Sequence, residues 1–121
     1  MIVEKVKYVD YKGIEREEEF HFNLTKTEIA ELELSHNGGL SEKIQRVVKA
    51  QDGKEIIAIF KDLVIRSYGE ISDDGRRFIK NDQLREEFTQ TEAYSEIFMR
   101  LASDADAASK FVNGIIPQVD N

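Results

Sequence analysis

The sequence has no cysteine, no tryptophan and only one proline among its 121 residues. Without cysteine it can form no disulfide, cysteine-ligated zinc site or iron–sulfur cluster, and it has no thiol nucleophile. The longest apolar run, at residues 56–60, is far shorter than the roughly 20 residues of a membrane-spanning helix. The first seven residues mix charged with apolar side chains and lack the basic start and apolar run of a signal peptide. We therefore expect a soluble intracellular protein that makes no membrane contact.

Acidic residues outnumber basic ones, 24 against 17, so that the net charge is −7. This balance argues against sequence-independent nucleic-acid binding, which needs lysine and arginine to displace counterions from phosphate. The charge is also uneven along the chain: residues 1–41 carry −4, residues 42–80 carry +2 and residues 81–121 carry −5. Such a layout suits head-to-tail contact between copies or docking onto a mixed-charge helical partner. An ordinary surface with interspersed charges is the competing interpretation.

The N-terminal 23 residues have the pattern of a β-hairpin. Residues 2–9 show the period of two expected of a strand, in which Ile2, Val6 and Tyr8 alternate with Val3, Lys7 and Val9. Gly13 supplies the turn before a return strand at 14–22. The acidic run at 17–19 places charge on both faces of the return strand. This suggests a ribbon partly free of the body, or an edge that its charges keep from pairing. Because an isolated hairpin is marginal in water, we expect it to pack on the helices or on a second subunit.

The rest of the chain has helical patterns. Thr25 and Glu28 form a capping box that starts a helix ending near residue 35. Further helices are predicted at 41–51 and 54–68, then from 81 or 82, from a capping box of Thr89 with Glu92, and from 103 or 104. Residues 70–80 are predicted to form a loop. The predicted fold class is α+β: one domain over 1–117, with a hairpin at 1–23, a body of about five helices at 24–117, and a flexible tail at 118–121.

No residue pattern carries catalytic or cofactor chemistry. His21 and His36 do not have metal-ligand spacing, and the acidic turn at 72–75 lacks the alternating ligands of a calcium loop. Phosphate-binding loops, nucleophile elbows and dinucleotide fingerprints are missing from the sequence. Carboxylates are plentiful, but no pair stands out from the solvated charge. We expect a protein that is not an enzyme, with no catalytic residue, cofactor or metal.

Structural residues over about 50–117 follow an order that is typical of a known protein family. It comprises the segment Tyr-Gly-Glu-Ile-Ser-Asp-Asp-Gly-Arg-Arg-Phe-Ile-Lys at 68–80, then Leu84, Phe88, Thr91-Glu92-Ala93-Tyr94, Phe98, Leu101, Ala107-Ala108, Phe111 and Gly114. The chain thereby resembles the tail assembly chaperones of long-tailed (siphovirus-type) phages and prophages of Gram-positive bacteria. The hairpin and the first helix resemble that family in the type of secondary structure, not through a sequence motif.

The resemblance implies a role in virion assembly rather than in chemistry. Such chaperones self-associate, bind the aggregation-prone tape measure protein while the tail is built, and help recruit tail tube subunits. They act in the host bacterial cytoplasm and are not retained in the mature virion. In many phages a programmed frameshift makes a second, longer product, through which the tail tube protein would be recruited.

Two groups of residues are candidates for protein contact. In the predicted loop, Arg76, Arg77 and Lys80 would meet acidic side chains of a neighbouring subunit or of the client. The competing interpretation is a capped turn that anchors Phe78 in the core. The second group, the aromatic residues Tyr94, Phe98 and Phe111, would line a client or subunit groove. For any single one of these aromatics, a place in the core is the favoured alternative.

Two other functions stay open at this point. An acidic regulatory binder that mimics DNA and occupies a host protein would draw on the net charge, although the basic middle of the chain argues against a continuous phosphate-like surface. A small two-carboxylate hydrolase would need a pocket in which carboxyl pKa values are shifted.

Overall fold

The computed structural model describes residues 1–35, 42, 46, 49 and 53–116. The ranges 1–35 and 53–116 form four strands and five helices: β1 (Ile2–Val9), β2 (Glu15–Phe22), α1 (Lys26–Ser35), α2 (Gly53–Ser67), β3 (Tyr68–Ile71), β4 (Phe78–Ile79), α3 (Asp82–Thr89), α4 (Glu92–Ser103) and α5 (Ala105–Ile115). The predicted α+β class, a hairpin followed by about five helices, is confirmed. The helix predicted at 41–51, apart from positions 42, 46 and 49, and the tail predicted at 118–121 lie outside the described residues.

The predicted N-terminal hairpin is present over its full length. Strands β1 and β2 pair antiparallel from Ile2 opposite Phe22 to Val9 opposite Glu15. Burial alternates along β1: Val6 is fully buried, whereas Val3 and Val9 are half exposed. Helix α4 packs on the face that contains Val6. One face of the ribbon therefore belongs to the core and the other faces outward.

The loop predicted at 70–80 is wrong in one respect, because two short strands lie at its ends. Strand β3 pairs with β2 at only two positions, Tyr68 with Phe22 and Gly69 with His21. Strand β4 then pairs with β3, so the sheet has the order β1-β2-β3-β4 with every pair antiparallel. Strands of four and two residues have too little periodicity to be recognised in a sequence. Their existence depends on β2, which lies almost 50 residues earlier in the chain.

Of the predicted helix caps, three are confirmed and one is wrong. In the Thr25–Glu28 capping box each residue's backbone N–H donates to the other's side chain, with nitrogen-to-oxygen distances of 2.9 and 3.1 Å. Two further predicted caps are also found, at Asn81 and at Asp104. The predicted pairing of Thr89 with Glu92 does not occur: the threonine two positions later, Thr91, caps α4, and Thr89 ends α3 with its hydroxyl on the Glu86 carbonyl.

An aromatic cluster fills the space between the sheet and the helices. Phe88 of α3 stacks on Tyr68 of β3 with ring centres 4.1 Å apart, and Phe22 of β2 meets Phe111 of α5 edge-on at 5.4 Å. Such offset and edge-on pairs stabilise a core beyond the area that they bury. The hydrophobic core around these rings joins both ends of the chain to its middle, since β1, β2, α2 and α5 all contribute buried residues to that core.

Candidate protein-interaction surface

The connection between β3 and β4 is a turn that is closed by its own side chains. The Ser72 hydroxyl donates to an Asp74 carboxylate oxygen at 2.7 Å, and that same oxygen accepts the Arg76 backbone N–H at 3.0 Å. The Arg77 N–H donates to the Ser72 hydroxyl, while Gly75 takes a left-handed φ of 73° that glycine adopts without strain. The Ser72 hydroxyl and the Arg76 N–H lower the pKa of Asp74 below its usual range. The turn is thus ordered and remains charged at neutral pH.

This ordered turn displays two cations in water. Both Arg76 and Arg77 are exposed, and within the described residues neither guanidinium group has a hydrogen bond or ion pair. Their backbone positions are determined by the turn, whereas their charged ends stay free. The prediction that these arginines meet a neighbouring chain is compatible with this exposure and stays a prediction.

The third predicted cation, Lys80, is engaged inside the chain. Its ammonium group donates to the Asn23 carbonyl at 2.7 Å and to both Glu28 carboxylate oxygens at 2.8 and 2.9 Å, and its side chain is only 10% exposed. Burial lowers the pKa of Lys80. Burial also opposes charge on Glu28, but the hydrogen bonds from Lys80 and Thr25 outweigh it and hold the pKa of Glu28 below its usual value. Lys80 therefore connects the base of the β3–β4 hairpin to the start of α1.

The structure separates the three predicted aromatic residues. Tyr94 and Phe98 lie one turn apart on α4, both partly buried, with ring centres 6.2 Å apart. Tyr94 also contacts Phe88 edge-on at 5.3 Å, which ties this aromatic ridge to the core cluster. Phe111 instead lies within the core, with 1% of its surface exposed. The ridge of Tyr94 and Phe98 reaches the surface, whereas Phe111 packs against Phe22.

The outward face of the first hairpin is a further exposed surface. The sequence predicted that this hairpin packs on the helices or on a second subunit, but it did not point to particular residues of this face. The face exposes Val3 and Val9, each about half exposed, and the turn that follows exposes Tyr11 and Ile14. The Asp10 carboxylate holds that turn by accepting backbone N–H groups of Lys12 and Ile14. The signal was present in the period-two alternation, which assigns Val3 and Val9 to the face opposite the buried residues.

The pKa shifts of the carboxyl groups are opposite in direction to the shift that acid catalysis needs. Among the described residues the pKa values of Asp10, Glu17, Glu28 and Asp74 are all lowered, through hydrogen bonds from Arg16, Lys5, Lys80 and Ser72 in turn. A general acid working near neutral pH needs a raised pKa instead. No cluster of three or more potential metal ligands occurs in the part of the chain that the structure describes.

Comparison with known families decides the assignment. The model of a family described as phage tail assembly chaperone matches residues 1–119. The chain belongs to this phage tail assembly chaperone family. The resemblance seen over residues 50–117 is confirmed and extends through the hairpin. Neither curated proteins nor solved structures give a significant match.

Membership in the family gives this chaperone a general role. It acts in viral tail assembly, and the family suggests a non-enzymatic activity that involves other phage tail proteins. Tail assembly places that activity in the host cell. Across the described ranges, no helix is long and apolar enough to cross a membrane.

Proposed function

We propose that this chaperone self-associates, binds the tape measure protein during tail assembly and helps recruit tail tube subunits. Membership in the tail assembly chaperone family is the observation that carries the proposal. A chaperone for a long client needs repeated weak contacts, which several copies of a small protein supply through multivalency. In this proposal it acts in the host bacterial cytoplasm and leaves before the virion matures.

The exposed features of the chain support particular roles in those contacts. The ridge of Tyr94 and Phe98 offers apolar surface beside a packed aromatic core, and partly buried aromatics of this kind often dominate binding energy. We assign this ridge to the apolar stripe of a helical client. The turn with Arg76 and Arg77 offers positive charge, and we assign it to acidic side chains of the client or of a neighbouring copy.

The test is co-expression with the tape measure protein of the same genome, followed by affinity purification and light scattering of the eluate. We expect a soluble complex with several chaperone copies for each tape measure chain. A tape measure protein that stays insoluble, with no chaperone in the eluate, would refute client binding. Repeating the experiment with a frameshifted longer product, where the genome encodes one, shows whether recruitment of the tail tube protein depends on it.

Two variants test the assigned surfaces. Arg76→Glu with Arg77→Glu should weaken the complex by about tenfold or more at low salt and by less at high salt, since exposed charges are screened. A matched control, Lys61→Glu with Lys110→Glu, makes the same change in net charge at exposed positions of α2 and α5. Equal effects of the two double variants would show that only net charge matters and would exclude the turn as a contact.

A further inference from the structure

The outward face of the first hairpin separates its charges by strand. On this face β1 carries Lys5 and Lys7, which we call the lysine stripe, and β2 carries Glu15, Glu17 and Glu19, the glutamate stripe. Among the described residues, helices cover only the opposite face, where the Arg100 side chain of α4 pairs with Glu4 at 3.0 Å. The lysine side chains are 65% and 81% exposed. A positive stripe therefore lies beside a negative one on an open, ordered surface.

Ion pairs within the hairpin use only part of this charge. Lys5 and Lys7 both approach the same carboxylate, that of Glu17, at 2.8 and 3.9 Å. Within the described residues, Glu15 and Glu19 form no ion pair at all. The glutamate stripe consequently retains carboxylates that can accept lysines from another molecule.

We propose that this face binds the same face of a second copy of the chain. Consider a twofold axis that runs along the strands, midway between two stacked hairpins. Such an axis places β2 of the second copy over β1 of the first. Each residue of the second copy keeps its height along the strand direction. Lys5 then lies over Glu19 of the second copy and Lys7 over Glu17, because those residues are level in the β1–β2 register. The lysine stripe of each copy covers the glutamate stripe of the other, as a self-complementary twofold interface requires.

Two other arrangements bring like charges together. A twofold axis perpendicular to the strands stacks the lysine stripe on itself. Antiparallel pairing of two β1 edges, centred on Val6, places Lys5 directly opposite Lys7 of the other copy, and like charges in that position destabilise a sheet. Lysines on an edge strand are also a common device against edge-to-edge pairing. Charge complementarity therefore selects the face-to-face arrangement with the axis along the strands.

This interface rests on the self-association in the proposed function and names the surface that performs it. The contacts are exposed ion pairs, so the association should be weak in isolation and sensitive to salt. Copies held side by side on one long client would reinforce it.

The test exchanges the charges of the stripes and measures self-association by sedimentation over a range of concentrations and salt. Lys5→Glu with Lys7→Glu makes the whole face acidic, and Glu17→Lys with Glu19→Lys makes it mainly basic. We expect each variant alone to associate at least tenfold more weakly than the wild type. We expect association to return in their equimolar mixture, and also in one chain that carries all four substitutions.

The controls separate this interface from misfolding and from the proposed function. Lys54→Glu with Lys61→Glu makes the same change in net charge as Lys5→Glu with Lys7→Glu, at exposed positions of α2, and should leave association unchanged. Recovery in the mixture excludes misfolding. Wild-type association that no stripe variant weakens would overturn the interface but leave self-association intact. A mixture that fails to recover would also overturn it. A wild type that stays monomeric would overturn both this interface and the proposed self-association. Co-purification with the tape measure protein tests client binding separately.

Discussion

Replacing Gly69 by alanine should loosen the hairpin that displays Arg76 and Arg77. The Phe78 ring lies over Gly69, so an added Cβ would come within 2.6 Å of the ring carbon Cε2 and 2.8 Å of the Ile79 carbonyl oxygen. The φ of Gly69 lies outside the left-handed region, so alanine can adopt this backbone and the effect is steric. Forcing an extra methyl into a packed site typically costs about 1–3 kcal/mol.

The net effect on stability can be worked out from two opposing contributions. Alanine reduces the entropy of the unfolded chain, which offsets roughly 0.4–1 kcal/mol of that steric cost. We expect the free energy of unfolding to fall by about 1–2 kcal/mol, measured by urea denaturation followed by far-UV circular dichroism. The matched control is Gly53→Ala, because no atom lies within 4 Å of the position that its added Cβ would take and its φ also lies outside the left-handed region.

The control should be neutral or slightly stabilising, by up to about 0.5 kcal/mol, because alanine favours a helix. Equal stability of the two variants would refute the close approach of Phe78 to Gly69. A second check is the double variant Gly69→Ala with Phe78→Ala. Since the ring is the closest obstacle, its removal should make the two changes non-additive in their effect on stability.

Two further predictions concern the supports of the site. Lys80→Met should lower the free energy of unfolding by about 1–3 kcal/mol, between the values for exposed and buried ion pairs. Because the pKa of Glu28 is lowered in the folded state, its contribution is present at neutral pH and is lost as pH falls through that lowered pKa. The stability gap between wild type and Lys80→Met should therefore shrink below about pH 4 in acid-denaturation series, and a constant gap would contradict the pairing. Asp104→Ala should lower the free energy of unfolding by about 1 kcal/mol through loss of the α5 cap, whereas Asp106→Ala, which removes no cap, should cost clearly less when both variants are compared in thermal melts.

Local patterns determined a large part of this structure. The hairpin could be recognised because its alternation persists over eight residues, and α1 because Thr25 and Glu28 satisfy each other's backbone donors within four residues. The lack of cysteine and of catalytic motifs pointed away from several kinds of chemistry without any knowledge of the fold. The order of structural residues along 50–117 was sufficient to indicate the family, which the match over residues 1–119 confirmed.

Only the tertiary structure decided which candidate residues are available to a partner. Lys80 and Arg77 look alike in the sequence, but Lys80 meets Glu28, 52 positions earlier, while Arg77 remains in water. Likewise Phe98 and Phe111 both lie on helical apolar faces, yet only Phe111 is enclosed, because β2 places Phe22 against it. Burial of a side chain depends on residues that are distant in sequence, and periodicity along one segment contains no information about them.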